Sequence, residues 1–194
     1  MQPAYTLKRT NWTGSRYSVL DAGGREIYAV RTSGRRSTFT PPGSDTPRFE
    51  TRVNGFFSME TALVESSVDY AFAYIKPLKS RTADWSVLNV AHMEIAVFQG
   101  GTTQNSLTTT IEAAKEMPRG GWAGMKQSYN KWSEMARYRE LVVDGKPVVR
   151  FQMAKDCKSI AVTVLNQYIK DIDERVVLVL ALRCFAIQQS QSGG

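Results

Sequence analysis

The chain reads as a mainly β protein, a closed antiparallel barrel wrapped around a buried hydrophobic C-terminal α-helix. Three observations predict that class. Most segments alternate apolar and polar residues and favour β-branched and aromatic types, the pattern of strands with one buried face. Turn chemistry separates these segments at short intervals. The final segment, DERVVLVLALRCFAIQQ (173–189), is apolar at every position from 176 to 187 except Arg183.

The elements follow in order. The first hairpin joins 16–20 to 25–30 through Asp21-Ala22-Gly23-Gly24, where glycine supplies the positive φ of a tight connection. A second joins 138–143 to 147–152 through Asp144-Gly145-Lys146, and Asp-Gly is a strong short-range hairpin signal. Further strands are expected at 48–53, 61–66, 70–75, 85–90, 93–98, 107–113 and 160–169. The stretch 32–47, rich in Gly, Ser, Thr and Pro, reads as an exposed loop, and 117–124 as a second flexible connection.

The terminal run is ambiguous on propensity, because Val176 to Leu180 would suit a buried strand. Asp171 or Asp173 as a cap, Glu174 in the first turn and the good helix formers that follow favour a helix over about 173–188. A helix apolar on every side is either embedded in a membrane or buried in protein. This one falls short of the roughly eighteen unbroken apolar residues that a span needs. Within an otherwise antiparallel β chain, its natural container is a closed barrel.

At 194 residues the chain fits one domain, taken as 1–194, and can bury about 70% of the surface it exposes unfolded. Two cysteines are too few for a disulfide scaffold, and the N-terminus lacks an apolar signal-like stretch. The expected setting is intracellular and cytoplasmic, peripheral at membranes if anywhere near them, with no transmembrane segment. The formal charge is +7, and residues 1–52 hold nine cations against four carboxylates, or +5 of it. Anionic partners are therefore worth weighing.

Two stretches carry a family resemblance. VLDAGGREIYAV (19–30) gives a hairpin followed by an I-Y-x-V strand; Trp132, LVVDGKPVVRF (141–151) and the apolar run 176–187 follow near the other end. In this order they resemble the tubby C-terminal-domain-like superfamily, in particular small fungal tubby-like domains of unknown function. That superfamily includes the LURP-one-related proteins and phospholipid scramblases. The likeness leaves 32–120 matched only in general strand character. It implies a barrel of about twelve strands around a central helix, and it carries over no binding residue. Tubby domains bind phosphoinositide headgroups, scramblases are linked to lipid movement and calcium, and many small relatives have no assigned activity.

Catalytic chemistry is hard to place, and the chain is expected not to be an enzyme. His92 is the single histidine, which excludes a multi-histidine zinc cluster and makes any Ser-His-Asp or Cys-His arrangement depend on it. Cys184 reads as an inert core thiol and Cys157 as an exposed one. The glycine pairs at 100–101 and 120–121 lack the spacing and Lys-Ser/Thr ending of a phosphate loop, and Asp171 and Asp173 read as helix caps. No cofactor and no metal are expected.

The basic residues are the main binding candidates. Arg31, Arg35 and Arg36 flank a Gly-Ser-Thr loop, while Lys76, Lys79 and Arg81 surround Pro77. Each set can offer guanidinium and ammonium donors to phosphate oxygens. The simpler reading is that they keep a sheet surface soluble. Trp12, Tyr17 and Phe39 could stack on bases but read as packing residues, and nucleic acid is not an expected partner. Arg183, costly if buried alone, is expected either to pair with a carboxylate or to lie at the barrel mouth, the second being favoured. The expected function is a binding module for anionic phospholipid or phosphoinositide headgroups at a membrane surface. The alternative is a protein-interaction or scaffolding domain without lipid activity.

Overall fold

The computed structural model describes residues 4–11, 13–53, 60–78, 84–100, 138–154, 156–166, 169 and 172–192, the stretch 186–192 by its backbone alone. The strand expected at 107–113 and the connection at 117–124 lie outside these residues. Twelve antiparallel strands are described: β1 (Tyr5–Arg9), β2 (Arg16–Asp21), β3 (Glu26–Ser33), β4 (Arg36–Thr40), β5 (Phe49–Val53), β6 (Thr61–Glu65), β7 (Tyr70–Pro77), β8 (Trp85–Leu88), β9 (Glu94–Gln99), β10 (Tyr138–Val143), β11 (Lys146–Met153) and β12 (Ser159–Val164). Each pairs with its neighbours in sequence, and β1 pairs with β12, so the barrel is closed and has no open edge. The helix α1 (Glu174–Ser192) starts one residue later than expected and runs four residues further.

Turn chemistry sets the register. In the β10–β11 hairpin, Asp144 at φ 49° and Gly145 at φ 74° supply the paired left-handed residues that a two-residue turn requires. In the β2–β3 hairpin, Asp21 Oδ1 accepts from the N–H groups of Gly23 and Arg25, both at 2.9 Å. After β8, Asn89 Oδ1 accepts from Ala91 and Met93 and turns the chain two residues before the expected strand end.

The expected loop at 32–47 is corrected. Thr32 and Ser33 complete β3, Gly34 at φ 56° turns the chain, and Arg36–Thr40 forms β4, leaving 41–48 as the connection. The inward positions of β4 are Ser37 and Phe39, so the apolar alternation has a single apolar residue to show it. Ser37 is satisfied inside: its N–H donates to Thr51 Oγ1 at 3.1 Å, and its hydroxyl lies 3.2 Å from that of Thr32. β1 was also not among the expected strands: it is five residues long and only Tyr5 and Leu7 mark its alternation.

The core lies between helix and wall. Val176 to Ala181 are each at most 1% exposed, whichever way they face, because strands surround the helix. Twelve strands leave room for a rod about 10 Å across, whereas eight would be filled by side chains alone. Each fully buried Val, Leu or Phe contributes about 1.5–3 kcal/mol of transfer free energy. Phe39 stacks on Phe49 at 4.3 Å with Tyr28 edge-on to both, and Tyr17 meets Phe185 of α1 at 5.0 Å.

The helix begins at the mouth that carries the β2–β3, β4–β5, β6–β7, β8–β9 and β10–β11 turns. It runs towards the opposite mouth, where the β1–β2, β3–β4 and β11–β12 turns lie. The two mouths differ chemically.

Candidate functional site

Strand register decides which of the expected basic residues meet. Arg31 faces outward on β3, directly opposite Arg16 of β2, and both are exposed. Lys8 of β1 stands opposite Ser18, two residues along β2 from Arg16, so the three cations occupy adjacent outward positions on β1, β2 and β3. Like charges directly opposite on neighbouring strands repel, since their Cβ atoms are only about 5 Å apart. Among the described residues no carboxylate pairs with Arg16 or Arg31. Arg35, in the β3–β4 turn, extends this exposed surface towards the far mouth.

Arg36 belongs to a different arrangement. It donates through Nε to Glu50 Oε2 at 2.7 Å, and Arg52 holds the same carboxylate from the other side while reaching Asp69 at 2.6 Å. The two guanidinium groups cover Glu50, which has no exposed surface, so Arg36 is neutralised within the wall. Lys76 is exposed on β7, opposite Ser86, four strands from β3 and so roughly 19 Å along the wall. Lys79 and Arg81 lie outside the described residues, as does Trp12. The sequence reading missed Arg16 and Lys8. The pair was not legible in the chain: regular pairing around Asp21 to Gly24 would set Arg16 opposite Ala29, and the register shift between Val19 and Leu20 brings it opposite Arg31 instead.

Three more arginines line the inside of the far mouth. Arg9 ends β1 with its guanidinium 5.2 Å over the Phe185 ring, and its Nε is buried without a hydrogen-bond partner. Arg139, near the start of β10, is 7% exposed and lies 5.5 Å over Phe98. Arg183 donates from Nη2 to Thr61 Oγ1 at 2.6 Å and lies 5.1 Å over Trp85. Burial lowers the pKa of both Arg139 and Arg183 below the ordinary arginine value. Arg183 therefore sits among residues that open the far mouth, Thr61 of β6 and Trp85 of β8, without a carboxylate among the described residues.

The mouth where α1 starts is built the other way. Asp173 caps the helix, its Oδ1 accepting the Arg175 N–H at 2.9 Å, as expected for this residue; Asp171 lies outside the described residues. Arg175 is clamped between Asp173, at 2.6 Å, and Glu65 of β6, with its guanidinium 3.7 Å over Phe72. Burial alone would raise the Asp173 carboxyl, but the side-chain and backbone hydrogen bonds from Arg175 outweigh it and hold the pKa low. Burial, then a hydrogen bond to Glu174, push the Tyr5 phenol up to about 12. Glu65, Asp173, Glu174 and Arg175 border an open groove of about 670 Å³ that also meets Glu26, Tyr28, Pro41 and Arg48.

The candidate catalytic groups stay apart. His92 sits in the β8–β9 turn at φ 57°, stacked on Tyr74 at 4.1 Å with Nδ1 3.9 Å from Glu60. Cys157 sits in the β11–β12 turn at φ 56°, at the opposite mouth. A six-residue strand separates such ends by about 20 Å, far beyond proton-transfer reach. Cys184 is in the core, and burial pushes its thiol up to about 12. Among the described residues no three His, Cys, Asp or Glu side chains gather as a metal site, and no helix is long and apolar enough to cross a membrane.

No model of a known protein family matches the sequence, and no curated protein matches it. The fold is similar to that of an Arabidopsis thaliana protein solved by X-ray crystallography. The TM-score is 0.54, over 96% of this chain and 94% of the other, at 10% sequence identity. At that identity the likeness shows the fold alone.

Proposed function

We propose that this barrel is a non-enzymatic binding module that docks its far mouth on anionic phospholipid headgroups at a membrane surface. The observation that carries the reading is the exposed Arg16–Arg31 pair, flanked by Lys8 and Arg35. Cross-strand cations repel unless they share a counter-ion, and a phosphate bridging two guanidinium groups converts that repulsion into charge-assisted hydrogen bonds. The opposite mouth, with Glu26, Glu65, Asp173 and Glu174, would turn away from such a surface. The resemblance to the tubby-like superfamily fits the Arabidopsis barrel and supports the same reading.

Vesicle flotation tests it. Vesicles containing phosphatidylserine or a phosphoinositide should float the protein at low salt and release it as salt rises. The double change Arg16→Gln with Arg31→Gln should weaken binding about thirtyfold, since each cation near an anionic surface contributes about 1 kcal/mol. Binding that ignores salt, or that survives the double change intact, defeats the proposal.

A second reading, a protein-interaction domain, draws on a different surface. Val68, Tyr70, Val90 and Met93 are 47–68% exposed in and beside the β6–β7 and β8–β9 turns. A partner seated there would be captured equally well by the Arg16→Gln, Arg31→Gln variant, and would be lost on changing Tyr70 and Met93 to serine.

A further inference from the structure

Inside the far mouth, three side chains present hydrogen-bond donors and find too few acceptors among the described residues. Arg183 has one N–H group committed to Thr61 Oγ1, at 2.6 Å. Because that oxygen accepts from Arg183, the Thr61 hydroxyl proton is free to point at another acceptor. Trp85 is 9% exposed, its ring lies 5.1 Å from the Arg183 guanidinium, and its Nε1–H is buried without any acceptor. Buried donors are almost always paired, so each orphan asks for an explanation.

The charge is as unbalanced as the hydrogen bonding. Arginine does not shed its proton in a protein, so Arg183 keeps its positive charge at any ordinary pH. Burial disfavours that charge, and among the described residues no carboxylate opposes the effect. Water could satisfy a donor but would not neutralise a cation. Arg175, at the other end of the same helix, has two carboxylates.

We propose that Arg183, Thr61 and Trp85 form an oxyanion site, whose ligand is inorganic phosphate or the phosphate group of a monoester. A tetrahedral oxyanion offers acceptor oxygens in several directions, which matches a guanidinium edge, a hydroxyl and an indole N–H better than a single-point acceptor does. Arg183 is only partly buried, at residues that open the mouth, so the anion has a route in. This site is separate from the outward Arg16–Arg31 surface and does not depend on membrane binding.

The test uses the full chain without vesicles. Titration calorimetry with sodium phosphate and with glycerol phosphate is paired with thermal melts in phosphate and in chloride at equal ionic strength. Wild type should bind at one site per chain and melt higher in phosphate. Arg183→Gln, which stays polar but carries no charge, should weaken binding at least about tenfold. Trp85→Phe, which keeps an aromatic ring, should weaken it severalfold, and it serves if Arg183→Gln does not fold. Lys146→Gln, an exposed cation at the opposite mouth, should change nothing. Tighter binding of glycerol phosphate assigns the ester as ligand, and equal binding assigns the free anion; either sustains the site. Identical melts in phosphate and chloride, meaning water only, overturn it. So does undiminished binding by Arg183→Gln, or loss of binding in Lys146→Gln.

Discussion

The two mouths of this barrel hold the same charged residue type in opposite circumstances. Where α1 starts, Arg175 is met by Asp173 and Glu65 and lies on Phe72. At the far mouth, Arg183 of the same helix lies on Trp85 with a threonine as its hydrogen-bond partner. Desolvating a guanidinium costs several kcal/mol, and a carboxylate with good geometry offsets most of that cost. The first mouth therefore anchors the helix with charges balanced inside the chain. The second leaves Arg183 without a carboxylate among the described residues, which is why the proposed oxyanion site is placed there.

One substitution made at both mouths tests this contrast most sharply. Arg175→Met should lose about 3 kcal/mol in urea unfolding at neutral pH, because it leaves Glu65 and Asp173 without their shared cation. Arg183→Met in phosphate-free buffer should stay within about 1 kcal/mol of wild type, since it removes a desolvated charge along with one hydrogen bond. Equal losses at the two positions would erase the distinction.

A smaller effect tests the anchor alone. Asp173→Ala should cost about 1 kcal/mol as a lost helix cap. The folded Asp173 carboxyl titrates below its unfolded value, so its contribution is complete above about pH 4 and disappears as pH falls through the depressed folded value. Melts taken from neutral to acid should show wild type and Asp173→Ala converging. A gap that persists at the acid end would mean that the cap does not act through its charge.

The smallest effect lies at the alkaline end. The Tyr5 phenol is raised to about 12, so its stabilising contribution is full below about pH 10 and is lost as pH rises through the folded value. Between those limits wild type should lose thermal stability faster than Tyr5→Phe. Parallel curves would remove Tyr5 from the anchor.

The architecture was largely legible, the site much less so. Val176 to Ala181 announce a core element because no face of that run suits water, and Asp144-Gly145 announces its hairpin because few residue pairs accept two positive φ angles. β4 was hidden because Ser37, an inward position, is polar and satisfied by Thr51 and Thr32, partners that only folding supplies. Among the expected cations, Arg31 and Arg36 look alike in the chain. The register sets each opposite another arginine, Arg16 and Arg52, but the second pair shares the buried Glu50.

Local chemistry therefore determined the strands with visible alternation, the hairpin turns and the buried helix. Each depends on residues close together in sequence or on the solubility of a single segment. Only the closed barrel decided which charges meet. Pairing Arg36 with Glu50, or Arg175 with Glu65, joins residues far apart in the chain. Leaving Arg16 and Arg183 without such partners depends on the same geometry, since a charge's worth is set by what folding brings within a few ångströms of it.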